Sequence, residues 1–204
     1  MKNLESKCIK WLSFLFVIKQ LIWIAFIPPW QFPDEQAHFA QVQNFAERRS
    51  VADFSGPNTS REIVESEILL GTKRDGFGNN LFTYHPEYKL PLTETKANDI
   101  EKYIRELPRS FRQERVIYEA TVYPPIYYVL ATIPYYFMYE QDLLSRIFVV
   151  RLINLPIFII TLYFVYKSGK LLFAQAPFLL TVLIFFFGFH PMFSFVSAGT
   201  TSDN

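Results

Sequence analysis

Pro28-Pro29-Trp30-Gln31-Phe32-Pro33-Asp34-Glu35-Gln36-Ala37-His38-Phe39 stops one apolar run and starts a new helix. Upstream, Trp11 to Pro29 is nearly unbroken apolar sequence, close to the roughly 20 residues that cross a bilayer. Pro28 and Pro29 end that helix, because proline has no N–H to donate and its ring collides with the preceding turn. Pro33 precedes the next helical pattern, Asp34 to Arg49, so Asp34, Glu35 and His38 fall in its first turn. Two carboxylates and an imidazole at the end of a membrane helix suggest chemistry at the membrane surface. The bland alternatives are an N-cap for Asp34, worth about 1 kcal/mol, and a satisfied polar contact for His38.

Working outward, half of the 204 residues are apolar, but they are clumped rather than spread as a soluble core requires. Val122 to Tyr139, Ile147 to Tyr166 and Ala176 to Ala198 repeat the pattern of the first run. The reading is a mainly α polytopic membrane protein with about three transmembrane helices and a large outer loop carrying interfacial helices. A net charge of +1 leaves no basic footprint, so nucleic acid is excluded as a partner. Cys8 is the single cysteine and offers neither a disulfide framework nor a paired thiol motif.

Lys2, Lys7 and Lys10 place the N-terminus, 1–10, in the cytoplasm, since Lys and Arg stay inside. The run that follows has no small-residue cleavage site and reads as an uncleaved span over 11–28. Residues 29–121 then form the outer loop, with a second helical pattern at Asn98 to Leu107, a Gly-rich turn at Asp75 to Asn80, and the tripeptide Asn58-Thr59-Ser60 that fits a glycosylation acceptor. The Tyr-rich run 122–139 contains Pro134 and reads as an interfacial or re-entrant helix. That leaves 147–166 as the second span, with Lys167 and Lys170 in a cytoplasmic loop over 167–175, and 176–196 as the third. Residues 197–204 begin a second outer loop, and the chain reads as the N-terminal part of a longer protein. Lys19, in mid-span, implies either an anionic ligand or a buried structural contact. Arg105, Arg109, Arg112 and Arg115 form a basic series that is either a solvated face or a phosphate contact.

Laid out this way, Pro33 to Phe39, Tyr123-Pro124-Pro125-Ile126-Tyr127-Tyr128, Arg151-Leu152 and Ser202-Asp203-Asn204 occur in an order and on membrane sides that resemble the N-terminal part of the GT-C-fold glycosyltransferases. The chain is most similar to the bacterial membrane family called domain of unknown function 2142. The resemblance implies transfer of a sugar from a polyprenyl-phosphate carrier to a glycan, lipid or protein acceptor on the outer face of the cell membrane. It places the catalytic base, or acceptor-orienting carboxylate, on Asp34 and a second acidic position on Asp203. Glu35 and His38 become supporting groups, and Arg151, Arg146 or Tyr123 would contact substrate. Tyr123 stands where relatives often carry a cation before Pro-Pro. No cofactor follows with certainty; a divalent ion shared by Asp34 and His38 is one possibility. Asp34-Glu35-x-x-His38 lacks the first His of the zinc-protease helix. Two other classes compete: a non-catalytic assembly or lipid-carrier-binding subunit, and a transporter, which would need charges paired at the midplane.

Overall fold

The computed structural model describes residues 2–49, 56–73, 93–120 and 123–202, and these are mainly α-helical. Helix α1 (Lys2–Phe26) ends just before Pro28, whose missing N–H deprives the Ile24 carbonyl of its helical donor. Among the described residues, two helical stretches are long and apolar enough to cross a membrane, Ile9–Phe26 and Leu143–Leu172. The second is a rod of two helices, α6 (Leu143–Arg151) and α7 (Asn154–Leu172), and it extends beyond the expected 147–166 at both ends. Pro156 explains the joint: the Leu152 carbonyl cannot receive an N–H from residue 156 and takes that of Leu155 at 3.2 Å.

The stretch expected as the third span, 176–196, is divided between two helices. Helix α8 (Pro177–Phe189) has 13 residues and a short helix, α9 (Pro191–Val196), follows it. Thirteen residues rise about 20 Å, short of a bilayer core of about 30 Å. Pro191 forces the break, with His190 extended at φ −60° and ψ 117°. The Phe193 N–H donates to His190 Nδ1 at 3.2 Å and caps α9. Lys19 meets this break: its Nζ donates to the Gly188 carbonyl and the Ser194 hydroxyl, with the Phe16, Phe158 and Phe189 rings 5.5 to 5.8 Å away. The mid-span cation is therefore held by polar groups that a continuous helix would not expose. Around it α1, α7 and α8 pack on Phe16, Phe158, Leu162, Leu180 and Ile184.

A second lobe is built around α2 (Glu35–Arg48), which is buried on nearly every side. Helix α5 (Ile126–Phe137) packs on it through Tyr128, Ala131 and Tyr135, at helical spacing, while Ile126, Val129, Leu130, Ile133 and Phe137 remain exposed. A two-stranded antiparallel ribbon, β1 (Thr59–Ser60) with β2 (Arg115–Ile117), sets Ser60 opposite Arg115. Between these strands lie α3 (Arg61–Leu70), α4 (Glu94–Arg105) and a 3-10 turn at Arg109–Arg112. The Gly-rich turn lies outside the described residues. Asn58 is 3% exposed and its Oδ1 accepts the N–H groups of Glu119 and Ala120, both at 2.9 Å. That buried side chain orders the ribbon and is not presented for glycosylation. Asp142 caps α6, accepting from Ser145 N at 3.1 Å. Burial pushes its carboxyl up, but the Ser145 donors and the Arg105 guanidinium outweigh that and hold it below the usual carboxylate value.

Candidate functional site

The C-terminal end of α1 is where the two lobes meet, and Arg151 is the joint. It is fully buried and all five of its N–H groups are engaged. Nε and Nη2 hold the two Glu35 carboxylate oxygens, each at 2.7 Å. Nη1 donates to the carbonyls of Ile24 and Ile27 at 3.1 and 2.6 Å, and Nη2 to that of Pro28 at 3.0 Å. Thus Arg151 supplies the donor that Pro28 cannot, and its charge sits at the negative end of the α1 dipole. Its guanidinium also lies 4.7 Å from the Phe32 ring centre and 5.1 Å from that of Phe148. Glu35 accepts two more bonds, from Trp30 N at 2.9 Å and Thr200 N at 3.2 Å. One buried ion pair therefore ties α1, α2, α6 and the segment after α9.

Closing the chain onto Glu35 bends the loop hard. Trp30 and Asp34 both sit in the left-handed region, at φ 64° and 52°. Asp tolerates that region; Trp does so only because its N–H reaches Glu35 and its indole N–H reaches Ser66 Oγ at 2.9 Å. Asp34 occupies the cap position of α2 but makes no side-chain cap hydrogen bond, and it is exposed where Glu35 is buried. The N-cap reading of Asp34 is thereby corrected.

One turn on, His38 is 2% exposed. Its Nδ1 lies 2.8 Å from Tyr128 Oη, and its Nε2 3.4 Å from Thr201 Oγ1. The half-exposed Tyr123 ring stacks on it with centroids 5.7 Å apart, and Tyr128 donates onward to Ser202 Oγ at 3.4 Å. Beside them Tyr127 lies against the Asn154 side chain and the Thr201 backbone. Burial pushes its phenol well above the ordinary value, against those two neighbours.

A family model described as "Predicted membrane protein (DUF2142)" matches residues 15–203. The chain belongs to that family. No curated protein and no solved structure matches it.

In this family member Asp34, Glu35, His38, Tyr123 and Arg151 come together at the C-terminal end of α1. Arg146 does not join them. It is 1% exposed and binds Glu62 through both terminal nitrogens, at 2.9 and 2.8 Å, with Tyr135 Oη at 2.8 Å. Neither arginine is available for a phosphate in this arrangement, since Arg151 has no N–H left and Arg146 is closed inside the lobe built on α2. Asp203 lies outside the described residues; its neighbours Thr200, Thr201 and Ser202 reach Glu35, His38 and Tyr128. Among the described residues no three His, Cys, Asp or Glu side chains converge as a metal site. Both His38 nitrogens face hydroxyls, so sharing an ion with Asp34 would cost one of those contacts. Sequence reasoning missed Tyr128, Thr200, Thr201 and Glu62. Tyr128 alone carried a signal, as one of five aromatic residues between Tyr123 and Tyr136.

Proposed function

We propose that this family member is a glycosyltransferase of the polyprenyl-phosphate-dependent, GT-C-like class, or its N-terminal portion, working on the outer face of the cell membrane. In this reading the N-terminus is cytoplasmic, the chain crosses three times with the third crossing broken at His190, and the lobe built on α2 lies outside. The observation that supports it is the exposed Asp34 carboxylate, carried on a left-handed turn at the end of the first span and fixed from behind by the Glu35–Arg151 pair. Non-glycine residues in that region concentrate where function requires them.

The reaction couples two bond changes. The acceptor oxygen bonds to the anomeric carbon as the carbon–oxygen bond to the lipid phosphate breaks; the bonding electrons leave with the phosphate, and the acceptor proton passes to Asp34. Arg151 is a positioning residue here, acting through Glu35. His38 and Tyr123 form the adjoining wall for the sugar, and Asp203 is the second acid. An apolar cleft of about 390 Å³, lined by Phe14, Phe16, Val17, Ile159 and Leu162, suits the hydrocarbon chain of the carrier.

The test is transfer of radiolabelled hexose from polyprenyl-phosphate-hexose by membranes holding the full-length protein. Asp34→Asn should lower transfer by about 10² to 10⁴ with insertion unchanged. Full transfer by that variant sinks the assignment. A second reading, a subunit that binds the carrier without turning it over, is favoured by the engagement of both Arg151 and Arg146 inside the chain. It requires equal carrier binding by native and Asp34→Asn protein, and transfer by neither.

A further inference from the structure

The arginine series that reads in sequence as a face or a phosphate contact is separated by the fold. Arg105 pairs with Glu101 and Asp142 at 2.8 and 3.0 Å, and Arg109 with Glu140 at 2.5 Å. Arg112 donates to the carbonyls of Tyr139 and Gln141 at 2.5 and 2.8 Å. Arg115 differs. Its Nη1 reaches the Arg112 carbonyl at 2.6 Å and Gln43 Oε1 at 3.3 Å, yet Nε and Nη2 are buried and meet no acceptor.

Those two N–H groups are parallel and share one edge of the guanidinium, the edge shaped for two oxygens of a carboxylate or phosphate. Elsewhere the chain uses that edge on carboxylates: Arg151 holds both oxygens of Glu35 with it, and Arg105 closes it on one oxygen of Glu101, Oε1, at 3.0 and 2.8 Å. Beside Arg115, Arg112 Nε is also buried without a hydrogen bond, 3.8 Å from Glu62.

The surrounding charge favours an anion as well. Arg48, Glu47 and Glu62 act electrostatically on Arg115, and Glu62 also pairs with Arg112 and Arg146. Glu62 is engaged by Arg146, and Glu47 by the Tyr135 and Tyr139 hydroxyls and Gln113. Glu114, the neighbouring acid, is held by Arg61 at 3.4 Å. Burial, then the nearby Arg48, lowers the Arg115 guanidinium to about 10, and it stays charged at neutral pH.

We propose that Arg115, through its Nε and Nη2 edge, is the fork of an oxyanion site in the lobe built on α2 that takes a phosphate group, either free phosphate or a phospholipid headgroup. The site is built on β2 and the preceding turn, shares no residue with Asp34 and its neighbours, and stands without the glycosyltransferase reading.

The full chain in uncharged detergent, titrated with inorganic phosphate against chloride at equal ionic strength, tests it by thermal unfolding. Phosphate should raise the melting temperature saturably and chloride should not. Arg115→Gln should abolish the rise, Arg115→Lys should weaken apparent phosphate affinity by about tenfold or more because the charge stays and the fork goes, and Arg109→Gln should leave it intact. Phosphatidylglycerol against phosphatidylcholine nanodiscs, without phosphate, form the second arm; stabilisation there that is lost in Arg115→Lys assigns the headgroup. If Arg115→Gln is not recovered folded, the phosphate-over-chloride difference in native protein and its loss in Arg115→Lys decide. The proposal is overturned by no saturable effect in either arm, or by an equal effect in the Arg115 variants.

Discussion

Replacing Arg151 by Met should be among the most damaging single changes in the chain, and its cost should survive removal of its charged partner. The substitution keeps the stem between Phe32 and Phe148 but removes five hydrogen bonds. Glu35 would be left a buried carboxylate with only the N–H groups of Trp30 and Thr200. Breaking a buried pair in this way costs about 3–5 kcal/mol. Glu35→Gln should cost less, because Arg151 keeps its three carbonyl acceptors. In the double variant Glu35→Gln/Arg151→Met the isolated charge disappears, yet the carbonyls of Ile24, Ile27 and Pro28 remain without a donor. The Ile24 carbonyl is buried and cannot turn to Pro28 for one, so the double variant should stay about 1–3 kcal/mol below native. The assay is denaturant unfolding in mixed micelles followed by tryptophan fluorescence, since Trp23 and Trp30 flank the joint. An Arg151→Met loss under about 1 kcal/mol, or full recovery in the double variant, would refute the view that Arg151 caps α1 as well as pairing with Glu35.

Three further outcomes follow from local geometry. Arg49 ends α2 at φ 55°, so Arg49→Gly should raise unfolding stability by about 1 kcal/mol in the same denaturation assay; a loss would show that the Arg49 side chain matters more than its backbone. A Cβ added at Gly188 would enter the Phe16 ring, so Gly188→Ala should cost about 1–3 kcal/mol, partly recovered by Phe16→Leu in the same chain, and an unaffected melting temperature would mean that α1 and α8 do not pack this closely. Asp142 has a folded pKa below its ordinary value near 4. Its contribution is therefore fully present above that ordinary value and is lost as pH falls through the lower folded one. Asp142→Ala should cost about 1 kcal/mol at pH 7, and the gap to native should narrow on acidification below pH 4; a gap that widens there contradicts the cap.

The sequence made the end of the first span legible because proline chemistry is local: Pro28 stops α1 wherever the rest of the chain lies. The helix after it was legible to within a residue at each end, its start for the same reason, and α4 was anticipated with its start placed a turn too late. What stayed hidden was long-range. An arginine at a membrane boundary suggests a phosphate contact when only its neighbours are known; Arg151 instead finds Glu35 across 116 residues of sequence, and Arg146 finds Glu62 across 84. The broken third helix was half legible, since Pro191 was visible but the Lys19 contact that makes the break tolerable was not.

The Asp34-Glu35 pair shows how far this changes the candidate site. Adjacent helical residues point about 100° apart, so only one of the two can face the joint. Sequence placed catalysis on Asp34, with a helix cap as its bland alternative, and left Glu35 as a supporting group. The fold divides the pair differently: Glu35 turns inward to Arg151 and takes the structural role, while Asp34 is turned outward on a backbone that costs stability. The same closure places Trp30 in the left-handed region, which makes both positive φ values consequences of one ion pair. A chain selected only for stability would place glycine or asparagine at position 34. The exposed carboxylate there, beside the buried His38 and its hydroxyl partners, is what the Glu35–Arg151 pair holds in place, and it is the feature on which the catalytic proposal depends.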